Sequence, residues 1–258
     1  MMRSDQTVAQ SPISEHPRIC DRHGPFIERT IQILHRAIVM QGCRACREEK
    51  ALEQTMKAAT NAEVARQASI KGAIVRACIP TKYAHARLST YEVTHAAQRA
   101  VLDRCRWFLD TWRERKTLGT SMLLVGRPGT GKTHLGCALA INVVRLGDTA
   151  LFATANEFTR AIRETYNGGK HSEAQIIERY AAPQLLVLDE VGASSGSDHE
   201  KQQLFELINR RYSESRPTVL VTNLSVEEIQ AFLGERILDR LRDGGGKLLR
   251  LDWESHRK

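Results

Sequence analysis

The sequence predicts an α/β protein built on a five-stranded parallel sheet and preceded by a mostly helical N-terminal domain. Five short apolar runs alternate with helical segments after residue 120, and one of these runs leads directly into a glycine-rich loop and a helix. Such strands are typical of a parallel sheet that helices cover on both faces. The 258 residues are 41% hydrophobic and 26% charged, which provides for an apolar core and excludes a disordered chain.

Residues 1–80 are predicted to form the N-terminal domain. Within them, residues 47–78 contain no proline and one glycine and are rich in Ala, Glu, Lys, Gln and Arg, which predicts one long helix that stops before Pro80. Its apolar positions keep only a loose three-to-four spacing, so its apolar face is thin and open to a partner. Residues 81–115 are predicted to be a connector that contains a second helical stretch from about Thr94.

Two pairs of metal-ligating residue types stand near the N-terminus. The spacing is C-x2-H, then 19 residues, then C-x2-C, and four nitrogen and sulfur ligands suit a closed tetrahedral zinc site. The predicted Zn²⁺ ligands are Cys20, His23, Cys43 and Cys46. Unliganded thiols are the alternative, and His16 or His35 would replace His23 if His23 does not bind. The remaining cysteines are predicted to be packing residues: Cys78, Cys105 and Cys137.

The five strands and the helices between them assign residues 116–258 to one domain. The predicted strands are residues 121–125, 149–153, 184–188, 218–222 and 247–251. Reciprocal capping boxes, in which Ser or Thr precedes Glu or Gln by three residues, mark four helix starts. These pairs are Thr154 with Glu157, Ser172 with Gln175, Ser197 with Glu200, and Ser225 with Glu228.

The most specific local pattern is a phosphate-binding loop, G-x4-G-K-T, between the first strand and the next helix. Its glycines let backbone N–H groups turn toward phosphates, Lys132 reaches the β and γ oxygens, and the Thr133 hydroxyl can ligate Mg²⁺. ATP and Mg²⁺ are therefore the predicted cofactors, with a ligand-free glycine turn as the alternative. The predicted cofactor-binding residues of this segment are Gly126, Arg127, Pro128, Gly129, Thr130, Gly131, Lys132, Thr133 and His134.

Polar side chains at the ends of two later strands complete the predicted site. Asp189 and Glu190 follow the strand LLVL; Asp189 would hold the Mg²⁺ together with Thr133, and Glu190 would polarise the attacking water. Asn223 follows the strand TVLVT, where it would orient that water against the γ-phosphate, or else cap the next turn.

Arginines near the end of the chain are further catalytic candidates. Arg236 and Arg240 lie on a short predicted helix, and a guanidinium can supply the positive charge that a phosphoryl-transfer transition state needs. Local pairing with Asp239 or Glu235 is the alternative. The predicted catalytic residues are therefore Lys132, Glu190, Asn223, Arg236 and Arg240.

The net charge of +8 lies in the first part of the chain. Residues 1–116 contain 20 Lys and Arg against 12 Asp and Glu, whereas residues 117–258 contain 18 of each. Such asymmetry indicates an acidic partner such as nucleic acid, with solvated helix faces as an equally frequent reason.

No apolar run reaches the roughly 18 residues of a membrane helix, and the polar start lacks an apolar signal segment, so we expect a cytoplasmic protein with no membrane partner.

Residues 80–258 resemble the AAA+ ATPases, and specifically the DnaC-type replicative helicase loaders of bacteria and their phages. The resemblance rests on the segments IPTKY, GRPGTGKTHL, LLVLDEVG and VTNLS and on the ending GERILDRLRDGGGKLLRLDWESHRK. It implies an AAA+ P-loop ATPase fold without the C-terminal helical lid of many AAA+ proteins. By position, Gly126–Thr133 match the Walker A loop, and Asp189 and Glu190 match the Walker B pair.

The same resemblance assigns further roles. Asn223 matches the first sensor, and Arg240, with Arg236 as second choice, matches the arginine finger that acts on a neighbouring subunit. Loaders of this type often carry an N-terminal zinc module with C-x2-H-G and C-P-x-C elements; here the second element reads C-R-A-C, a departure at a non-ligand position. The resemblance thus implies that residues 1–80 dock to a hexameric replicative helicase.

The implied activity is a slow ATPase, stimulated by DNA or a partner, that assembles with itself, helps to place the helicase on single-stranded DNA and releases it on hydrolysis. Residues 156–179 match a region of such loaders that faces single-stranded DNA, where aromatics can stack on bases and cations can track phosphates. The candidates are Phe158, Arg160, Arg163, Tyr166 and Lys170, with a solvated amphipathic helix as the alternative.

Two other functions stay open: an IstB-type transposition helper ATPase that assembles on duplex DNA, and an adaptor for which ATP is only a structural ligand.

Overall fold

The computed structural model describes residues 14–33, 36–40, 42–166, 169–193 and 198–256. The chain divides into two compact units, Met1–Gln67 and Ala68–Lys258, called here the small unit and the large unit. The division falls inside the long helix, upstream of residue 80, where the sequence interpretation placed the end of the N-terminal domain.

The small unit contains a three-stranded antiparallel sheet and most of a long helix. Strands β1 (Ser14–Cys20), β2 (Gly24–Ile33) and β3 (Arg36–Met40) pair in the order β1-β2-β3. Helix α1 (Arg44–Arg76) confirms the predicted helix and buries none of its residues, in agreement with its thin apolar face. The sheet was not predicted, because residues 14–40 lack the regular alternation of apolar and polar residues that identifies a strand.

The large unit begins with short helices that the sequence interpretation treated as a connector. Two 3-10 turns, Thr81–Tyr83 and Leu88–Thr90, precede α2 (Ala96–Asp110) and α3 (Trp112–Leu118). Apolar residues of α2 and α3 are buried against the helix that follows the first strand of the large unit. Residues 81–115 are therefore part of the core of the large unit.

The large unit has the predicted five-stranded parallel sheet, with the order β5-β6-β7-β4-β8. Every strand lies within one residue of its prediction: β4 (Met122–Gly126), β5 (Ala150–Thr154), β6 (Leu185–Asp189), β7 (Thr218–Thr222) and β8 (Lys247–Leu251). The helices are α4 (Lys132–Arg145), α5 (Ala155–Arg163), α6 (Glu173–Ala181), α7 (Asp198–Ser213), α8 (Val226–Leu233) and α9 (Glu235–Arg242). Because β4 lies next to β7 and not next to β5, the carboxyl ends of β4, β6 and β7 meet where such sheets bind ligands.

Two apolar layers cover the sheet, because successive strand residues point to opposite faces. On one face, α2 and α4 pack on Met122, Leu124, Val187, Val219 and Val221. On the other face, α5 to α9 pack on Leu123, Val125, Leu186, Leu188 and Leu220. Arg211 of α7 is also fully buried, and its guanidinium donates to Thr218 Oγ1 (2.9 Å) and to the carbonyl oxygens of Ala181 (2.7 Å) and Pro183 (2.8 Å).

The helix ends follow the sequence signals. Capping boxes form at Thr154, Ser172 and Ser225, whereas Ser197 lies outside the described residues. Strand β8 is the last helix or strand of the described residues, and residues 252–256 follow it without regular secondary structure. Among the described residues, none of the helices is both long enough and apolar enough to traverse a bilayer.

Candidate nucleotide site and metal-ligand cluster

The phosphate-binding loop connects β4, which ends at Gly126, to α4, which begins at Lys132. Gly129 and Gly131 have φ of 83° and 93°, in the left-handed region that glycine adopts without strain. A Cβ at Gly131 would also lie 2.6 Å from Cε2 of Tyr91. Glycine is therefore required at this position for its backbone angle and for space.

Lys132 holds its ammonium group against the first residues of the loop. Its side chain is buried, and Nζ donates to the carbonyl oxygens of Gly126 (2.6 Å) and Arg127 (2.7 Å). A positive charge at this place, beside the N-terminus of α4, suits the β- and γ-phosphates of a nucleotide.

Two predicted Mg²⁺ ligands are in direct contact. Thr133 Oγ1 donates to Asp189 Oδ2 (2.7 Å), and the backbone N–H of Glu190 donates to Asp189 Oδ1 (2.7 Å). Burial raises the pKa of Asp189, while these two hydrogen bonds and the charge of Lys132 act in the opposite direction. The hydroxyl and the carboxylate, two oxygen ligands of the kind that Mg²⁺ prefers, thus meet beside the phosphate loop.

Glu190 follows Asp189 in an unusual backbone conformation. Its φ is 58°, in the left-handed region, and its side chain is exposed. The next residue, Val191, donates its backbone N–H to Val221 O (3.0 Å), which fixes the turn to β7. The carboxylate is therefore directed out of the strand end into solvent on a fixed turn, where a water molecule can reach it.

Asn223 is exposed immediately after β7, the strand between β6 and β4. It lines one groove together with Gly126 and Arg127 at the start of the phosphate loop and with Arg250 of β8. The structure thus brings this residue close to the loop, as its place at a strand end predicts.

Arg236 and Arg240 lie on α9 and stack on aromatic rings of α7. The guanidinium of Arg240 is 5.4 Å from the ring centre of Phe205 and 5.5 Å from that of Tyr212, and that of Arg236 is 5.8 Å from Phe205. Tyr212 in turn donates to Asp243 Oδ2 (2.8 Å). Within the described residues, neither arginine pairs with a carboxylate, and Arg240 Nη1 is buried without a hydrogen-bond partner.

Three residues that were not predicted from the sequence donate hydrogen bonds to backbone carbonyl groups of the loop. Tyr91 Oη and Trp253 Nε1 both donate to Thr130 O, at 3.0 and 3.1 Å, and the backbone N–H of His256 donates to Gly129 O (3.0 Å). Tyr91 is 39 residues and Trp253 is 123 residues away from Thr130 in the chain. No local spacing pattern could have connected residues so far apart.

A groove beside Gly131 is lined by the rings of Tyr91, His134 and His256. His134 Nε2 donates to Arg87 O (3.0 Å), which orients its imidazole. The ring centres of Tyr91 and His134 are 6.1 Å apart, and those of Tyr91 and His256 are 6.3 Å apart. Flat rings around a groove next to the phosphate loop suit a planar base.

Of the five predicted DNA contacts, one is wrong. Phe158 is fully buried and packs edge-on against Tyr180, with ring centres 5.0 Å apart, so it cannot stack on a base. Its apolar side chain faces the sheet because α5 needs a core residue there. The other four are exposed: Arg160, Arg163, Tyr166 and Lys170.

The predicted zinc ligands form a cluster in the small unit. One ligand atom from each of Cys20, His23, Cys43 and Cys46 lies within 4.8 Å of all the others. Cys46 Sγ is 3.5 Å from Cys20 Sγ and 3.2 Å from His23 Nδ1. Ligand atoms around a tetrahedral zinc ion are separated by about 3.5–3.8 Å, so these four donors could hold Zn²⁺ after small side-chain movements.

The surroundings of the cluster also suit a metal. His23 Nε2 is 3.0 Å from Glu49 Oε1, a carboxylate contact that orients metal-bound imidazoles. Hydrogen bonds from the backbone of Arg22 and from His23 lower the pKa of Cys20 to about 6, whereas the contact with Cys20 raises the pKa of Cys46 to about 11, so Cys20 is the first of the two thiols to become a thiolate.

The remaining histidine and cysteine predictions have mixed outcomes. His16 is not part of the cluster, and His35 lies outside the described residues. Cys105 and Cys137 are buried packing residues, and burial raises the pKa of each thiol to about 12. The packing prediction is wrong for Cys78, which is exposed just after the end of α1.

Comparison with known proteins identifies relatives of this chain. Over 167 residues it is 32% identical to the replicative helicase loader DnaC of Escherichia coli K12, covering 65% of this chain and 67% of the relative. It is 31% identical over 192 residues to the uncharacterized protein YdaV of the same organism, covering 74% and 76% of the two chains. A crystal structure of the DnaC helicase loader matches with a TM-score of 0.59 and 24% identity, covering 66% of this chain and 99% of that one.

A family model extends the match beyond these relatives. The model described as IstB-like ATP binding protein matches residues 34–258, which include the whole phosphate loop, Asp189 and the sheet that positions them. Since the match takes in most of the chain and both motifs of the candidate site, the chain belongs to the IstB-like family of ATP-binding proteins.

Proposed function

We propose that this protein is an ATP-dependent loader that binds a hexameric replicative DNA helicase in the cytoplasm, helps to place it on single-stranded DNA and hydrolyses ATP to release it. The observation that carries this proposal is the 32% identity to DnaC, whose name is that of a replicative helicase loader. Membership in an ATP-binding family and the contact between Thr133 and Asp189 support the nucleotide chemistry.

In the proposed nucleotide complex, the loop from Gly126 to Gly131 surrounds the phosphates with backbone N–H groups, and Lys132 neutralises the β and γ oxygens. Thr133 and Asp189 would hold Mg²⁺ through the hydroxyl oxygen and a carboxylate oxygen, and the Thr133 hydroxyl would keep its proton and turn it away from Asp189. The base occupies the groove lined by Tyr91 and His134. Mg²⁺ would neutralise negative charge on the phosphates.

For hydrolysis, Glu190 accepts a proton from the attacking water, and Asn223 orients that water. Arg240 acts on the γ-phosphate of a neighbouring subunit, with Arg236 as second choice, so the chain assembles with itself through the ATPase unit. Arg240 is partly exposed and has no carboxylate partner among the described residues, which supports this role, because such a guanidinium can still bind a phosphate oxygen. The expected turnover is slow and increases with DNA or the helicase.

Residues 1–80 are proposed to contact the helicase through a zinc-stabilised module. Cys20, His23, Cys43 and Cys46 would hold Zn²⁺, and the spacing of their ligand atoms supports it. On α1, Leu52 and Met56 are exposed one helical turn apart, which suits a helix that faces a partner. Arg160, Arg163, Tyr166 and Lys170 are proposed to contact single-stranded DNA.

The first experiment is capture of the host's replicative helicase by the tagged full-length protein, with and without ATP. We expect wild type and Cys78→Ser to capture it, because Cys78 is an exposed thiol outside the cluster, and the double variant Cys43→Ser/Cys46→Ser to lose it. Equal capture by all three proteins would contradict a docking role for the zinc module. No capture by wild type under any nucleotide condition would contradict the loader role itself.

A second experiment tests the ATPase. Lys132→Ala should lose ATP binding, whereas Glu190→Gln and Arg240→Ala should bind ATP and hydrolyse it slowly. A mixture of the last two variants should regain part of the activity, because one subunit then supplies Glu190 and its neighbour supplies Arg240. A mixture no more active than its components would refute action between subunits, and unchanged hydrolysis by Glu190→Gln would favour the adaptor function.

The description of the matching family favours one alternative, an IstB-type transposition helper. Such a protein would form ATP-dependent assemblies on duplex DNA and would not bind the helicase. Sedimentation of wild type with duplex or single-stranded DNA, with and without ATP, separates the two functions.

A further inference from the structure

The basic surplus of the chain is concentrated at the start of the large unit. Residues 68–116 contain ten Lys and Arg against four Asp and Glu, which accounts for most of the net charge of +8. None of these residues belongs to the segment proposed to contact single-stranded DNA. The proposed function assigns no nucleic-acid contact to this positive charge.

Part of this charge lines an open groove on the face of the sheet that α2 and α4 cover. The turn at Leu88–Thr90, the end of α2 and the end of α4 form its walls. Three arginines line the groove. Arg87 precedes the turn Leu88–Thr90, Arg106 lies in α2, and Arg145 lies in α4. Segments α5 and α6 pack on the opposite face, so this groove is separate from Arg160 and its neighbours.

The arginines of the groove are available to an anion. In the described part of the chain, no carboxylate lies within ion-pair distance of Arg87 or Arg145. Arg106 pairs with Asp103 at 3.1 Å, but both side chains are about half exposed, and such surface pairs exchange readily for a better partner. Asp110 is the single acidic residue among those that line the groove, so the lining carries a positive charge.

The groove is also a formed surface, because its walls are fixed to the core. Leu88 is buried, and the carbonyl oxygen of Arg87 accepts the hydrogen bond from His134, two residues after Lys132. Arg145 lies in the last turn of α4, where a cation also offsets the helix dipole. That local role accounts for Arg145 but not for Arg87 or Arg106, which come from other elements.

We propose that this groove binds phosphate groups of a polynucleotide backbone, as a second nucleic-acid contact in addition to the segment around Arg160. Guanidinium groups match phosphate oxygens with paired hydrogen bonds, and arginines from three separate elements suit successive phosphates along a strand better than one small anion. The contact stands whether the protein loads a helicase or assembles on duplex DNA.

The test compares Arg87→Ala/Arg145→Ala with the matched control Arg99→Ala/Arg113→Ala, which removes the same charge from exposed positions outside the groove. The full-length proteins are titrated with a fluorescent oligothymidylate over a series of salt concentrations. Each lost phosphate contact lowers the slope of log K against log salt by about 0.7 for a single strand, so the groove variant should lose about 1.4. The control should keep the wild-type slope.

Two outcomes would overturn the proposal. The first is a groove variant whose affinity and salt slope equal those of the control, when both variants have the thermal midpoint of wild type. The second is a groove that binds inorganic phosphate only: phosphate then raises the thermal midpoint of wild type but not of the groove variant, while oligothymidylate binding is unchanged. If the groove variant unfolds early, Arg87→Lys/Arg145→Lys keeps the charge and should restore most of the slope.

Discussion

The carbonyl group of Thr130 provides a direct test of how the phosphate loop is held. Thr130 is fully buried, and its carbonyl oxygen accepts two hydrogen bonds from distant aromatic residues, Tyr91 and Trp253. Either donor alone satisfies the carbonyl group. We therefore expect Tyr91→Phe and Trp253→Phe to have smaller separate effects than their combination.

The magnitudes follow from the hydrogen bonds. Loss of one donor should lower the free energy of unfolding by about 0.5–1.5 kcal/mol, because the other donor still satisfies the oxygen. When the second donor is also lost, the buried carbonyl oxygen has neither of these donors. That second loss then costs the desolvation penalty of an unsatisfied buried group, about 1–3 kcal/mol. The double variant should therefore lose about 1 kcal/mol more than the sum of the single variants. The smaller ring in Trp253→Phe also costs packing energy, but that term cancels in the double-mutant cycle.

Urea unfolding of the four proteins without nucleotide measures the cycle, and the affinity for an ATP analogue measures its effect on the loop. Affinity should fall most in the double variant, because the carbonyl that fixes the loop is then unrestrained. If the double variant loses the sum of the two single losses within about 0.5 kcal/mol, the two donors act independently and do not share the carbonyl group as argued. Equal analogue affinity in all four proteins would show that the loop keeps its shape without these donors.

Three further results are expected. Arg211→Met should lower the free energy of unfolding by about 3 kcal/mol in urea titrations, because it leaves a hydroxyl and several buried carbonyl groups without their donor; a loss below about 1 kcal/mol would contradict this role. Cys43→Ser/Cys46→Ser should abolish zinc in metal analysis of the purified chain, whereas Cys78→Ser should keep the wild-type content; equal content in all would exclude the cluster as the site. The hydrogen bond from Tyr212 lowers the pKa of Asp243, so this carboxylate stabilises the fold above its ordinary pKa and the contribution is lost as pH falls through the lowered pKa. The stability difference between wild type and Tyr212→Phe should therefore shrink below the ordinary pKa of an aspartate, and a difference independent of pH would contradict the assignment.

The sequence predicts the sheet and the phosphate loop well because their signals are local. Each apolar run lies between turn or capping residues, so every strand of the five-stranded sheet could be placed within one residue. The contact between Thr133 and Asp189 could be predicted as well, because both follow strands whose carboxyl ends share one edge of a parallel sheet. The cluster of Cys20 and its partners follows from ligand spacing alone.

Other features depend on contacts between distant residues. Because β8 pairs with β4, Trp253 lies close enough to the phosphate loop to donate to Thr130 O. The residues next to Trp253 in the sequence do not indicate this contact. Phe158 was misjudged because an aromatic residue on an amphipathic helix has the same local pattern whether it faces solvent or the core. The small sheet of residues 14–40 was missed because its pairing, and not its composition, defines its strands.

The left-handed backbone at Glu190 has a consequence for any attempt to stabilise this protein by selection. A residue other than glycine at φ 58° carries strain of about 1–2 kcal/mol, and asparagine adopts such angles more readily than glutamate does. A screen that rewards only thermal resistance would therefore favour Asn at this position. The same exchange would remove the carboxylate proposed to activate water. On the role proposed for Glu190, stability and turnover are opposed at a single residue, and a library that varies position 190 should be sorted for ATP hydrolysis as well as for folding.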